Sequence, residues 1–211
     1  TDYLDKGGRV LLLLNPTGPS FSDLLQPWGI KTQNDLVLDR AQQGLVVVEA
    51  GRGAHEAVKP AVRVLFQPLR SVTAITPAPT GITVTELLKS GPGSEVIPNF
   101  DPKSGDLRAA LGTAKPGPIS LAALAEKSLG TGDNARKAKL IVVGDHTFMA
   151  DQLAQFPDFY NPDLAVGLIN YLGEEDALVE IAPKDENTEQ AFLTPDQGRL
   201  LPLIHLVDFP L

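Results

Sequence analysis

The stretch 139–184 restricts the fold more than any other part of this chain, because a strand, a turn and a helix follow one another there with clear signals. Lys139-Leu-Ile-Val-Val is a short apolar run of the kind a doubly buried strand needs, and Gly144-Asp145-His146 stops it. Farther on, Asn161 reads as a helix N-cap, Pro162 as the first helical position and Asp163 as a carboxylate complementing the helix dipole. Leu164, Leu168, Tyr171 and Leu172 then share one face and Gly173 terminates it, so the spacing predicts a helix over 162–172. Leu178-Val-Glu-Ile-Ala predicts a further strand.

A second strand–loop–helix signal lies near the start. Arg9-Val-Leu-Leu-Leu-Leu is apolar and Asn15-Pro16-Thr17-Gly18-Pro19 breaks it; Phe21, Leu24, Leu25 and Trp28 then recur at helical spacing, with Ser20 or Ser22 placed to cap and Gly29 to terminate. Tyr3 and Leu4 ahead of Gly7-Gly8 read as the last turn of a helix, an opening that suggests a start truncated within a longer chain. Residues 36–38 and 45–49 predict short strands. The segments 62–66, 72–75 and 82–88 have β-branched strand content, but Pro60, Pro68, Pro77 and Pro79 divide them and point to edge strands and long connections. From Ser90 to Pro118 the chain carries loop chemistry, and 119–125 reads as a strand feeding a turn. Residues 185–190 are acidic and polar, Thr194-Pro195-Asp196 predicts a helix start, and 200–211 is apolar but interrupted by Pro202 and Pro210.

Charge and cysteine content narrow the function classes. A net charge of −8 argues against a protein built to grip nucleic acid, which requires clustered Lys and Arg. The absence of cysteine removes disulfides, thiol nucleophiles and thiolate metal sites, and is compatible with either side of a membrane. No apolar run reaches the roughly 18 residues a spanning helix needs, so this chain is not expected to span a bilayer itself.

No catalytic constellation emerges. His55, His146 and His205 lack a second His or a carboxylate at helical metal spacing, so neither a metal nor a cofactor is expected. Gly51-Arg-Gly-Ala-His-Glu follows a strand but lacks the third glycine of a dinucleotide loop, and Pro60 cuts short any helix after it. A Walker loop and a Gly-x-Ser-x-Gly elbow are both absent. Glu174-Glu175 reads as a solvated face. Asp145 and His146 lie just past the carboxyl end of a strand, where α/β proteins place functional groups; with Asn161 they form the candidate ligand or partner site. The structural alternative is that Asp145 caps the following turn and His146 is exposed.

Several motifs, in order, resemble the soluble domain of gliding-motility-type ABC transporter auxiliary proteins. They are Asp2-Tyr-Leu-Asp-Lys-Gly-Gly-Arg-Val-Leu-Leu, Leu24-Leu-Gln-Pro-Trp-Gly-Ile, Val142-Val-Gly-Asp-His-Thr-Phe and Asn161-Pro-Asp-Leu-Ala-Val-Gly-Leu-Ile-Asn-Tyr-Leu, closing on Glu174-Glu-Asp and Ile181-Ala-Pro-Lys. The resemblance implies an α/β fold with a mostly parallel, helix-flanked sheet, similar to class I glutamine amidotransferase and flavodoxin-like domains. That domain is expected over 1–184, with 185–211 leading toward a membrane helix of the parent protein. It also implies a non-enzymatic, extracytoplasmic interaction domain that contacts an ABC permease, a partner auxiliary subunit or a glycan. A carbohydrate-binding or carbohydrate-processing domain is the alternative. The amidotransferase reaction does not carry over, since its cysteine nucleophile is absent.

Overall fold

The computed structural model describes residues 2–51, 53–101, 103, 110–130 and 136–173. The expected strand at 178–182, the Glu174-Glu175 pair, the helix start at 194–196, His205 and the 185–211 extension lie outside the described residues.

Eleven strands run along the described chain: β1 (Arg9–Leu13), β2 (Ile30–Thr32), β3 (Asp35–Leu38), β4 (Val46–Glu49), β5 (Arg63–Phe66), β6 (Val72–Ala74), β7 (Ile82–Lys89), β8 (Glu95–Pro98), β9 (Lys115–Pro116), β10 (Ser120–Leu129) and β11 (Arg136–Val143). The central sheet has the order β1-β11-β10-β7. Only β1 and β11 pair in parallel, with Leu11 opposite Ile141; β10 runs antiparallel to both β11 and β7. The smaller pairings β2–β6, β4–β5 and β3–β8–β9 are antiparallel as well.

The expected mostly parallel, helix-flanked α/β sheet is therefore corrected to a β-rich fold of mixed and antiparallel sheets, and the amidotransferase and flavodoxin likeness falls with it. The physical reason lies in the middle of the chain. A parallel pair needs a crossover of a dozen or more residues, usually a helix, whereas antiparallel strands close through short turns. The prolines at 60, 68, 77 and 79 cut the middle into pieces too short for crossover helices, and each piece pairs antiparallel. Of the described helices, Asp2–Asp5, Ser22–Leu25 and Asp151–Ala154 are single turns, and only Asn161–Gly173 is long enough to cover a sheet.

β11 shows why 139–143 is so apolar. Ala138, Leu140 and Val142 face one core with Leu25, Trp28, Ile30 and Val72, while Ile141 and Val143 face the other with Val48, Phe66 and the 161–173 helix. Leu140, Ile141, Val142 and Val143 are all fully buried, each contributing roughly 1.5–3 kcal/mol of transfer free energy before ordering entropy is subtracted. The 161–173 helix packs through Leu164, Leu168, Tyr171 and Leu172, the face its spacing predicts. Its C-terminal carbonyls are met by cations: Lys139 Nζ donates to Tyr171 O at 3.1 Å and Arg9 to Leu172 O at 2.8 Å.

The helix expected over 21–28 is shorter and differently started. Phe21 takes the N-cap position in the left-handed region (φ 53°) and no side chain caps the turn, since the Ser20 and Ser22 hydroxyls bond each other at 2.9 Å. A 3-10 turn over Gln26–Trp28 then ends at Gly29 with φ 73°.

Candidate functional site

The carboxyl ends of β1 and β11 form the crevice where an open α/β sheet would hold a ligand. Here it is filled. Gly144, the residue after β11, lies so close to Arg70 that a Cβ on it would sit 1.8 Å from the Arg70 carbonyl oxygen, and the Arg70 N–H donates to Gly144 O at 3.0 Å. The Arg70 side chain, only 1 % exposed, turns into the loop after β1 and donates to Pro19 O (2.8 Å), Pro16 O (3.0 Å) and Gly18 O (2.6 Å). A guanidinium is suited to this, since its five N–H donors sit in a rigid fork. The Asn15–Pro19 break is thus stapled across the sheet end.

Two of the three candidate site residues, Asp145 and Asn161, are held in structural hydrogen bonds. Asp145 is buried and accepts from the Thr147 N–H at 2.7 Å, while the Thr147 hydroxyl lies 2.8 and 2.9 Å from its two oxygens. That bonding fixes the turn leading into the 3-10 helix at Thr147–Met149. Burial pushes the Asp145 carboxyl above the usual carboxylate range, opposed by the Thr147 bonds and by His146. The His146 side chain is half exposed, with Nδ1 4.0 Å from Asp145 Oδ1. Asn161 is wholly buried: Oδ1 accepts from Leu65 N at 3.0 Å, and Nδ2 donates to Leu65 O at 2.8 Å and to Phe148 O at 2.9 Å. Both amide hydrogens are used, joining the helix start to β5 and to the 3-10 turn. His55 accepts from the Ala57 N–H and packs edge-on against Tyr171. No cluster of three or more potential metal ligands occurs among the described residues.

The open cavity lies elsewhere, between the β3–β8–β9 sheet and the residues of β6, β7 and β10. Its volume is about 390 Å³. Asp35, Ser71 and Ser120 contribute buried polar groups, and Glu86, Lys89 and Lys115 contribute charge. Val96, Pro98, Pro118 and Ile119 make the apolar part of the lining. A second space of about 270 Å³ lies toward the end of β4 and shares Glu86 and Lys89 with the first.

Asp35 anchors this cavity. It is 3 % exposed and accepts from both the backbone N–H and the hydroxyl of Ser71. Burial pushes its carboxyl above the usual range, against the opposing pull of the Ser71 bonds and the Arg70 charge. Burial also moves the Arg70 guanidinium below its ordinary range, with Asp35 opposing. Arg70 and Ser71 are adjacent in sequence, so one short segment plugs the crevice with one side chain and orients the cavity carboxylate with the next. Glu86 accepts from Ala74 N at 3.2 Å and pairs with Lys89 at 3.0 Å. Ser120 Oγ is buried and has no hydrogen-bond partner among the described residues.

Asp35, Arg70, Ser71 and Ser120 are not among the candidates 145, 146 and 161 that the sequence offers. The one available signal was the polar pair Arg70-Ser71 set between the apolar Leu69 and Val72.

Residues 1–179 match the family model for auxiliary proteins described as an ABC-type uncharacterized transport system. Neither curated proteins nor solved structures give a match.

Proposed function

The chain belongs to that family, the auxiliary components of ABC-type transport systems, and we propose that within such a system it is a non-enzymatic interaction domain contacting a protein subunit of the transporter. The observation carrying the proposal is the distribution of exposed apolar side chains. Five of the eight large apolar residues exposed among the described residues, Met149, Phe156, Tyr160, Val166 and Ile169, fall within 149–169. Val166 and Ile169 are 56 % and 51 % exposed, on the outer face of a helix whose inner face is packed into the core. Tyr160 N donates to Arg63 O, which brings the exposed Val62 beside the same stretch. A surface of this kind fits a permease or partner auxiliary subunit. The plugged sheet end and the fully engaged Asn161 support a role without catalysis.

Photoreactive residues placed at 166 and 169 in the full-length parent protein should crosslink in the membrane to a transporter permease or partner auxiliary subunit. Recovery of no transporter subunit overturns the reading, and retention of glycan in its place favours the carbohydrate alternative. The described lining of the cavity contains no aromatic ring on which a sugar face would stack.

The motifs that resemble those of gliding-motility-type members support an extracytoplasmic position, with the domain tethered through membrane helices of the parent. No described helix is itself long and apolar enough to cross a membrane. Because residues 1–211 contain no cysteine, Val62→Cys gives a single label site here. It should react with a membrane-impermeant maleimide on intact cells; reaction only after permeabilising the inner membrane places the domain in the cytoplasm instead.

A further inference from the structure

The cavity at Asp35 carries two unlike charges at separated positions. In the β3–β8–β9 sheet, Asp35 lies opposite Pro98 and Lys115 opposite Val96. Val96 and Pro98 are two residues apart on β8, so all four positions share one face, the face that lines the cavity. Asp35 and Lys115 therefore stand at the two ends of an apolar strip. At strand spacings of about 4.8 Å and a rise of about 3.4 Å per residue, their backbones are about 12 Å apart.

The charges on the opposite wall cancel, because Glu86 and Lys89 form an ion pair. Asp35, which also feels the Arg70 charge behind it, and Lys115 then face the cavity as a separated negative and positive group. Each Asp35 oxygen accepts one bond from Ser71 and retains capacity for another. Lys115 makes no ion pair among the described residues. Independently, Ser120 lines the same cavity and is 6 % exposed, and its buried hydroxyl has no partner among the described residues. A buried hydroxyl left unbonded is destabilising, and a ligand group would satisfy it.

We propose that this cavity binds a small zwitterion of the amino-acid or short-peptide class, with its ammonium group at Asp35, its carboxylate at Lys115 and a polar backbone group at Ser120. A purely anionic ligand would meet Asp35, and a purely cationic one would meet Lys115. A neutral polyol would leave the separated charges unused. The volume of about 390 Å³ matches a ligand of this size and lies at the small end of ligand pockets. This site is separate from the protein-contact surface proposed above and does not depend on it.

Triglycine is the probe, with N-acetyltriglycine, triglycine amide and glucose as single-charge and uncharged controls, titrated into ¹⁵N-labelled protein by NMR. Triglycine should shift the amide signals of residues 35, 71, 96 and 120 in a saturable way, and each single-charge control should bind about tenfold more weakly or less. Lys115→Ala, on an exposed strand, should abolish the preference for triglycine over its amide. Ser120→Ala should weaken triglycine while the protein stays folded, and Asp35→Asn should abolish the preference over the acetylated peptide. Equal binding of the controls, glucose shifting these signals in place of triglycine, or no saturable shift at all overturns the proposal.

Discussion

Asp35 carries a pH signature whose sign follows from its surroundings. Burial raises its carboxyl above the ordinary value of 3.8 in the folded state. A carboxyl with a raised folded pKa contributes stability that is fully present below the unfolded value and is lost as pH rises through the folded one. Urea denaturation across pH should therefore show the wild type losing stability relative to Asp35→Asn as pH rises above 3.8, and levelling once the folded carboxyl is ionised. A constant difference across that window would mean that burial does not govern this group. Asn161 acts through unpaired groups instead. Asn161→Leu leaves the Leu65 N–H and the Leu65 and Phe148 carbonyls without their partner and should cost about 2–3 kcal/mol in chemical denaturation. Neither role was legible locally. Asn161 reads correctly as a helix-start residue, but its partners lie 96 and 13 residues away, and no spacing rule reaches them.

Among the elements, the sheet end depends on a glycine. Gly144 tolerates no Cβ, because backbone and not a flexible side chain occupies the space. Gly144→Ala must push the Arg70 segment off the end of β11, with an expected loss of about 3 kcal/mol and faster amide exchange at Arg70 and in the 14–20 loop. Gly167, where a Cβ would meet Ala57 O at 2.7 Å, makes a milder comparison, because a helix can shift by a fraction of an ångström. An unchanged melting temperature for Gly144→Ala would show that the plug is loosely held. The strands 9–13 and 136–143 and the helix 161–173 were readable because each carries its own periodicity and its own terminators. The antiparallel pairing of β10 between β11 and β7 was not, because pairing direction depends on where connections run, and the apolar pattern of a doubly buried strand is the same for either direction.

Across the molecule, the two proposed surfaces are distinct stretches: exposed apolar side chains over 149–169 and a charged cavity between β3 and β7. Substituting Val166 and Ile169 by Ser should leave stability nearly unchanged, since both are more than half exposed, while reducing recovery of the transporter subunit. Lys115→Ala should do the reverse and spare that recovery. Loss of subunit recovery with Lys115→Ala would merge the two surfaces into one. The central strands, the long helix with its packed face, and the order of motifs that places the chain in its transport family could all be read from residues alone, because they are local patterns or contiguous words. Long-range packing was needed to make the sheet mixed, to plug the strand-end crevice and to open the cavity around Asp35. Those outcomes depend on Arg70 reaching Pro16, Gly18 and Pro19, and on Ser71 reaching Asp35, contacts made across more than 35 residues of chain.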